Sequence, residues 1–301
     1  MPRTLLTHGL VVLLSLCAAI SMAIGIVVRQ RATLDVPQDQ GVSSVMVSTL
    51  LRRPLWWAGT GVAVLGYVFQ ALALIKGSLI LVQPLLVSAL LFALPLSAWA
   101  AGRRVTRSEL LWALLLTVGL AVFVLLAHPG PAEHAASLQT STIVAAIVGA
   151  VIVGAVLIAI RVDGWRRAVL FSVAVGVLFG VVAVVTKINM HLLGERGLLG
   201  LLATPAPYAL VVLGIIATLL QQSAFHAGAL HTSVPTMLIL EPVVAVFLGA
   251  ILLGEELDAG TYEAIALAIA AGAMTAATVA LGRGEGAYEA ELELKAAREA
   301  A

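Results

Sequence analysis

The residues of this chain that could do chemistry are few, and they lie inside long apolar runs. Glu241, followed by Pro242, is seven residues into the run Val234–Gly254, a depth of about 10 Å in a helix. An ionisable group inside a membrane span costs about 2.5–3.5 kcal/mol on insertion scales, and proline removes a backbone donor beside it. Glu241 is therefore a candidate for coupling to a proton or cation. The alternative is a structural carboxyl that bonds to a neighbouring helix.

Amide and imidazole side chains form a second candidate group. Gln222 and His226 share a helix face because residues four apart are neighbours, and Gln221 directly precedes them. Gln70 matches Gln221 through the repeat described below. These residues are predicted either to form hydrogen bonds to a polar solute or to hold helices together, a bond worth about 0.6 kcal/mol on average. No third ligand accompanies His226 at useful spacing, so we predict no metal site.

Three prolines are predicted hinges. Pro84 and Pro235 lie one or two turns into their runs, and Pro242 follows Glu241. Paired flexible points suit a rocking motion between two states. Tolerance of proline near the start of a helix is the alternative for the first two.

Composition excludes a soluble protein. The chain is 61% hydrophobic and 11% charged, with a mean hydropathy of +1.08, whereas soluble domains are about a quarter charged. The net charge of +1 and the lack of a basic stripe exclude a nucleic-acid partner. Cys17 has no second cysteine to pair with. No catalytic triad pattern, phosphate-binding glycine loop or cofactor motif is present, so we predict a non-enzyme without a cofactor.

Nine apolar runs are long enough to cross a bilayer, which needs about 20 residues of helix. The fold class is therefore all-α, a polytopic membrane helix bundle. The runs are Gly9–Val28, Trp56–Ile75, Ser78–Ala100, Glu109–Ala127, Thr142–Ile160, Ala168–Thr186, Tyr208–Leu230, Val234–Gly254 and Thr261–Leu281. The longer predicted linkers are Arg29–Leu55, His128–Ser141 and Lys187–Pro207. Residues 283–301 are predicted to be a solvated, partly helical acidic tail.

The segment Gly41–Leu51 leaves the helix count open between nine and ten. It is apolar but has only 11 residues, a rise of about 16 Å, so we favour an amphipathic interfacial helix over residues 39–52. With nine spans, 13 Lys and Arg residues lie on one side and four on the other. With ten, the division is 12 against five. Because basic residues concentrate in the cytoplasm, both counts predict a cytoplasmic C-terminus.

Two correspondences indicate an internal repeat. Gln70, Gly77, Leu79 and Pro84 recur 151 residues later as Gln221, Gly228, Leu230 and Pro235. The helices that open each half also share a pattern: Ala18, Met22, Gly25 and Arg29 match Gly176, Gly180, Ala183 and Lys187. Four helices of the first repeat and one linking helix precede the second repeat, so it must start from the opposite side of the membrane, as in the inverted repeats of many secondary transporters. The predicted parts are a first repeat, 9–127, a linking helix, 142–160, and a second repeat, 168–282. Chance spacing of common residues is the alternative.

Several motifs resemble the drug/metabolite transporter superfamily, on its EamA and NIPA-like side. They are Trp56–Trp57–x–Gly59, Gly77–Leu86, Gln222–Gly228, Leu240–Glu241–Pro242 and Gly254–Glu255. The resemblance implies a bundle of inverted repeats that carries small molecules with a membrane gradient. The NIPA-like group is associated with magnesium. Where that group has Gly-Glu in the second helix, this chain has Gly66–Tyr67, which removes a candidate carboxylate.

Three functions follow from these observations. The first is a secondary carrier that moves a small solute across the plasma membrane by alternating access, with a proton or cation as coupling ion. The second is a divalent-cation transporter of the NIPA-like kind. The third is a membrane scaffold or lipid-handling protein without a transport cycle. The expected partners are the solute, the coupling ion and the lipid bilayer; the sequence predicts no oligomeric state.

Overall fold

The computed structural model describes residues 2–34, 52–100, 104–127, 136–163, 165–226, 230–256 and 259–300. Within these ranges the chain is helical and contains no strand. The helices are α1 (Pro2–Leu34), α2 (Pro54–Lys76), α3 (Leu79–Val87), α4 (Ala89–Ala100), α5 (Arg107–Leu126), α6 (Leu138–Ala159), α7 (Trp165–Leu202), α8 (Ala206–His226), α9 (Leu230–Leu253) and α10 (Thr261–Ala300).

The described helices form a multi-pass membrane protein. Eight segments are long and apolar enough to cross a bilayer, with α3 and α4 together forming one of them, and a ninth, Ala206–Gln221 of α8, is apolar but shorter. Large apolar side chains cover their outer faces: in α6, Ile143, Ile147 and Val153 are each more than half exposed. Such a surface suits lipid and would be unfavourable in water. The predicted interfacial segment 39–52 lies outside the described residues apart from Arg52, so the exact count of spans stays a prediction.

The predicted linker Lys187–Pro207 is wrong over most of its length. Helix α7 continues through Lys187 as far as a kink at Gly197, and a short helical stretch follows the kink as far as Leu202. At Gly197 the backbone adopts φ 66°, a conformation that glycine reaches without steric cost. A prediction from hydropathy ends a span where polar residues begin. A helix can nevertheless continue through polar residues, as α7 does through Asn189 and Glu195.

The chain divides into two compact units. Unit 1 comprises Met1–Thr106 and Thr186–Pro207, and unit 2 comprises Arg107–Val185 and Tyr208–Ala301. These units are defined by contacts, whereas the predicted repeats 9–127 and 168–282 are defined by sequence correspondence. The inverted repeat therefore stays a prediction.

Unit 1 is built on a close approach between α1 and α2. A Cβ placed at Gly25 of α1 would lie 2.9 Å from the backbone nitrogen of Ala63 in α2, and one at Gly66 would lie 3.1 Å from the carbonyl oxygen of Ala18. Small residues let helix backbones meet in lipid, where apolar side chains gain little by leaving the bilayer. The face of α1 that includes Ala18 and Gly25 is the one whose spacing indicated the repeat.

Unit 2 has a buried apolar cluster and a second small-residue contact. The contact joins α5 to α10, where a Cβ at Gly119 would lie 2.9 Å from Cγ of Met274 and 3.2 Å from the carbonyl oxygen of Ala270. The buried members of the cluster come from α6, α7, α8 and α9: Ala159, Phe171, Val175, Leu178, Phe179, Ala217, Ala224 and Met237.

Candidate functional site

Glu241 lies near the middle of α9, in unit 2. It is the twelfth of 24 residues in that helix, about 16 Å from its start, which is deeper than the predicted boundaries implied. Helix α9 continues through Pro242, although proline cannot donate the usual hydrogen bond to the carbonyl of Leu238. The residue at 241 is partly exposed.

Helix α7 packs against the backbone of α9 at the turn that contains Glu241. A Cβ placed at Gly176 would lie 2.7 Å from Cβ of Leu240, and one at Gly180 would lie 2.8 Å from Cβ of Val244 and 3.0 Å from the carbonyl oxygen of Glu241. The small-residue face of α7 that indicated the repeat therefore lies on the backbone of the Glu241 turn. In unit 1 the corresponding face of α1 packs on α2.

Gln221 lies on the face of α8 that enters the cluster of unit 2. It is partly buried, four residues after Ala217 and three before Ala224, both of which are fully buried. These spacings place the three residues on one helix face. Gln222, His226 and Pro235 belong to described helices, but their side chains lie outside what the structure describes.

Gln70 lies in unit 1, on the face of α2 that packs against α1. It is 3% exposed and follows Ala63 and Gly66 along that face at helical spacing. Because Gln70 lies where two helices pack together, a role in joining those helices fits its position at least as well as solute binding does. The structure therefore places Gln70 in unit 1, and Gln221 and Glu241 in unit 2.

In unit 1, α2 and α3 are joined by a short connection that has several hydrogen-bonding groups. Gly77 and Ser78 are extended, with φ/ψ of −98°/156° and −84°/158°, and we call this dipeptide the α2–α3 joint. The Oγ of Ser78 accepts a hydrogen bond from the backbone N–H of Leu81 at 3.2 Å, which caps α3. Gly77 is packed so closely that an added Cβ would lie 2.6 Å from Cγ1 of Val11.

Lys187 contacts this joint directly. Its Nζ donates a hydrogen bond to the carbonyl oxygen of Gly77 at 3.1 Å, at the negative end of the α2 dipole. The predicted run Ala168–Thr186 made Lys187 the first residue after its helix. That boundary is wrong, because α7 continues beyond Lys187. Arg29 is also followed by more helix, and its Nε donates to the carbonyl of Gly25 at 3.3 Å.

Gln83 is a polar residue that was not selected from the sequence. It lies in α3 next to Pro84, is 1% exposed, and its Nε2 has no hydrogen-bond partner among the described residues. Leaving a buried donor unsatisfied costs about 1–3 kcal/mol. One signal was available, because Gln83 is the only polar residue in the run Leu79–Val87.

The predicted hinge at Pro84 lies close to a break in the third span. Helix α3 ends at Val87 and α4 begins at Ala89. Between them, both the Oγ and the backbone N–H of Ser88 donate to the carbonyl of Leu85, at 2.6 and 3.1 Å. These bonds to the third preceding residue replace the regular α-helical pattern.

Two further polar residues, Asn189 and Glu255, are buried. The Nδ2 of Asn189 in α7 donates to the carbonyl of Ala206 at 3.2 Å, which ties α7 to the start of α8 within unit 1. Glu255 is 3% exposed and follows Gly254, whose φ is 63°. Among the described residues, no group of three His, Cys, Asp or Glu side chains is placed to hold a metal ion.

Comparison with known proteins identifies a relative. An uncharacterized protein of Corynebacterium glutamicum is 39% identical to this chain over 274 residues, which are 91% of this chain and 95% of the relative. The chain belongs to the family of that corynebacterial protein. Because the relationship covers nearly the full length of both proteins, it includes parts of both units. No family model matches the chain, and no solved structure matches it.

Proposed function

We propose that this protein is a secondary transporter of the plasma membrane. It moves a small solute by alternating access, couples that movement to an ion gradient through Glu241, and does not alter the solute chemically. The resemblance to the EamA-like drug/metabolite transporters and the repeated spacing in the sequence support this proposal. Its membership of that superfamily, its cytoplasmic C-terminus and its inverted repeats are parts of the same proposal.

The observation that carries the proposal is the position of Glu241. A carboxyl inside an apolar span is costly, and the backbone of its turn lies against the small-residue face of α7. Such residues in membrane proteins mark ion and substrate pathways. A carboxyl that exchanges a proton or binds a cation on each side of the membrane in turn would link the gradient to solute movement.

Transport by the purified protein in sealed proteoliposomes tests the proposal. The panel contains radiolabelled amino acids, carboxylates, nucleosides, sugars, amines and Mg²⁺, each measured with and without an imposed pH or Na⁺ gradient. We expect accumulation of one solute class above its equilibrium level, and collapse of that accumulation when the gradient is dissipated. Accumulation of Mg²⁺ alone would instead support the divalent-cation transporter. If no compound crosses faster than in protein-free vesicles, the carrier proposal is wrong.

A further inference from the structure

The α2–α3 joint, Gly77–Ser78, brings two helix ends and an ammonium group together. The carbonyl end of α2 and the amide end of α3 meet at this dipeptide. The amide end of α3 carries partial positive charge, and the carbonyl end of α2 carries partial negative charge. The Nζ of Lys187 lies 3.1 Å from the carbonyl oxygen of Gly77, so its full positive charge is placed at the same point.

The charges of unit 1 are strongly one-sided. Its described residues include nine Lys and Arg residues and a single acidic residue, Glu195. Glu195 is exposed and lies 3.1 Å from Nε2 of His191. The nine-span topology predicts four basic residues on the outer side of the membrane: Arg3, Lys76, Lys187 and Arg196. Two of them adjoin the joint, since Lys76 directly precedes Gly77 and Lys187 bonds to it. Basic residues are scarce on that side of the membrane. Two of them at the joint would attract an anion to it.

Gln83 adds an amide donor in the same short helix. Its Nε2 has no partner among the described residues, and the side chain is 1% exposed. Helical side chains lean toward the N-terminus of their helix, so Gln83 leans toward the turn that begins at the joint. Residues Leu79–Leu86 of α3 are all buried, so the Gln83 N–H₂ group is costly while it has no acceptor. A solute oxygen that accepts a hydrogen bond from it would remove that cost.

We propose that the joint, Lys187 and Gln83 form a binding site for the carboxylate group of the transported solute. Lys187 and the amide end of α3 neutralise its charge, and the Gln83 amide donates a hydrogen bond to a carboxylate oxygen. This inference rests on the proposed transport function and narrows the substrate class to organic carboxylates. It assigns no role to Glu241.

Thermal unfolding of the detergent-purified protein tests this site without a transport assay. The probes are the sodium salts of two- to six-carbon mono- and dicarboxylates and the matched primary amides. We expect at least one carboxylate to raise the unfolding temperature by about 3 °C at ten times its Kd, and its amide to have no effect. Arg196→Gln, which removes an exposed charge from the same helix, should keep the shift. Lys187→Gln should lose it, and Lys187→Arg should recover part of it.

Gln83→Leu provides an independent test that does not depend on Lys187. Replacing an unsatisfied amide by an apolar group of similar size is expected to raise the unfolding temperature of the ligand-free protein and to abolish the carboxylate shift. The inference is overturned if no carboxylate stabilises the wild type, or if the shift survives in both Lys187→Gln and Gln83→Leu. In either case, accumulation of a neutral or cationic solute in vesicles would leave the transporter proposal standing.

Discussion

Gly180 of α7 lies against the backbone of Glu241, close enough that a Cβ at its position would come within 3.0 Å of the Glu241 carbonyl oxygen. The same Cβ would lie 2.8 Å from Cβ of Val244. Neither contact is with the end of a flexible side chain, so the two helices would have to separate to admit even a methyl group. The packing of α7 thus determines where the Glu241 turn lies within unit 2.

Gly180→Ala is expected to destabilise the protein despite the better helix propensity of alanine. Overpacking costs about 1–3 kcal/mol, and the propensity gain returns at most about 1 kcal/mol. Gly149→Ala in α6 is the matched control, because a Cβ there meets nothing within 4 Å; it should be neutral or stabilising. Thermal unfolding in detergent measures both variants. Equal unfolding temperatures for the two would contradict the close α7–α9 contact.

Glu241→Gln is expected to abolish gradient-driven accumulation while leaving the protein folded and inserted. The amide keeps the shape of the side chain but can neither ionise nor release a proton, so coupling to the gradient is lost. Exchange of solute across the membrane needs no such coupling and should persist. Glu256→Gln, at an exposed position after the same helix, is the control and should accumulate solute like the wild type. Uptake and counterflow in proteoliposomes separate the two activities. If Glu241→Gln accumulates solute with an unchanged dependence on pH, its carboxyl is structural.

Pro84→Ala is expected to make the third span more regular and to slow transport. Alanine restores a backbone donor and removes a ring that clashes with the preceding turn, a change worth up to about 3 kcal/mol in a helix interior. Pro95→Ala in α4 also removes a proline from the same span, but at an exposed position, and should keep its transport rate. Initial uptake rates and unfolding temperatures check the comparison. A faster Pro84→Ala transporter would exclude a hinge at this position.

Reporter fusions test the orientation of the chain. The division of 13 basic residues against four predicts that a fusion after Ala301 is active only as a cytoplasmic reporter. A fusion at Arg3 distinguishes nine spans, which place it outside, from ten, which place it in the cytoplasm. A periplasmic-type reporter that is active after Ala301 would overturn both topologies.

Most of the helices could be predicted from the sequence because hydropathy and length suffice for a bilayer span. The predicted run Glu109–Ala127 corresponds to Arg107–Leu126 in the structure, and Trp56–Ile75 to Pro54–Lys76. Helix ends were less predictable. Hydropathy reports where apolar residues end, whereas a helix ends only where a residue such as Gly197 changes the backbone.

For the candidate polar residues, too, some properties could be predicted from the sequence and others required the structure. The sequence by itself determined that Glu241 is a carboxyl inside an apolar helix, because its depth follows from counting residues in one run. Only the tertiary structure decided that Lys187 bonds to the carbonyl of Gly77, 110 positions away, and that the Gln83 amide is left without a described partner. The reason is physical: the cost of placing a polar group in a membrane depends on its own segment, but its hydrogen-bond partners come from whichever helices pack against that segment.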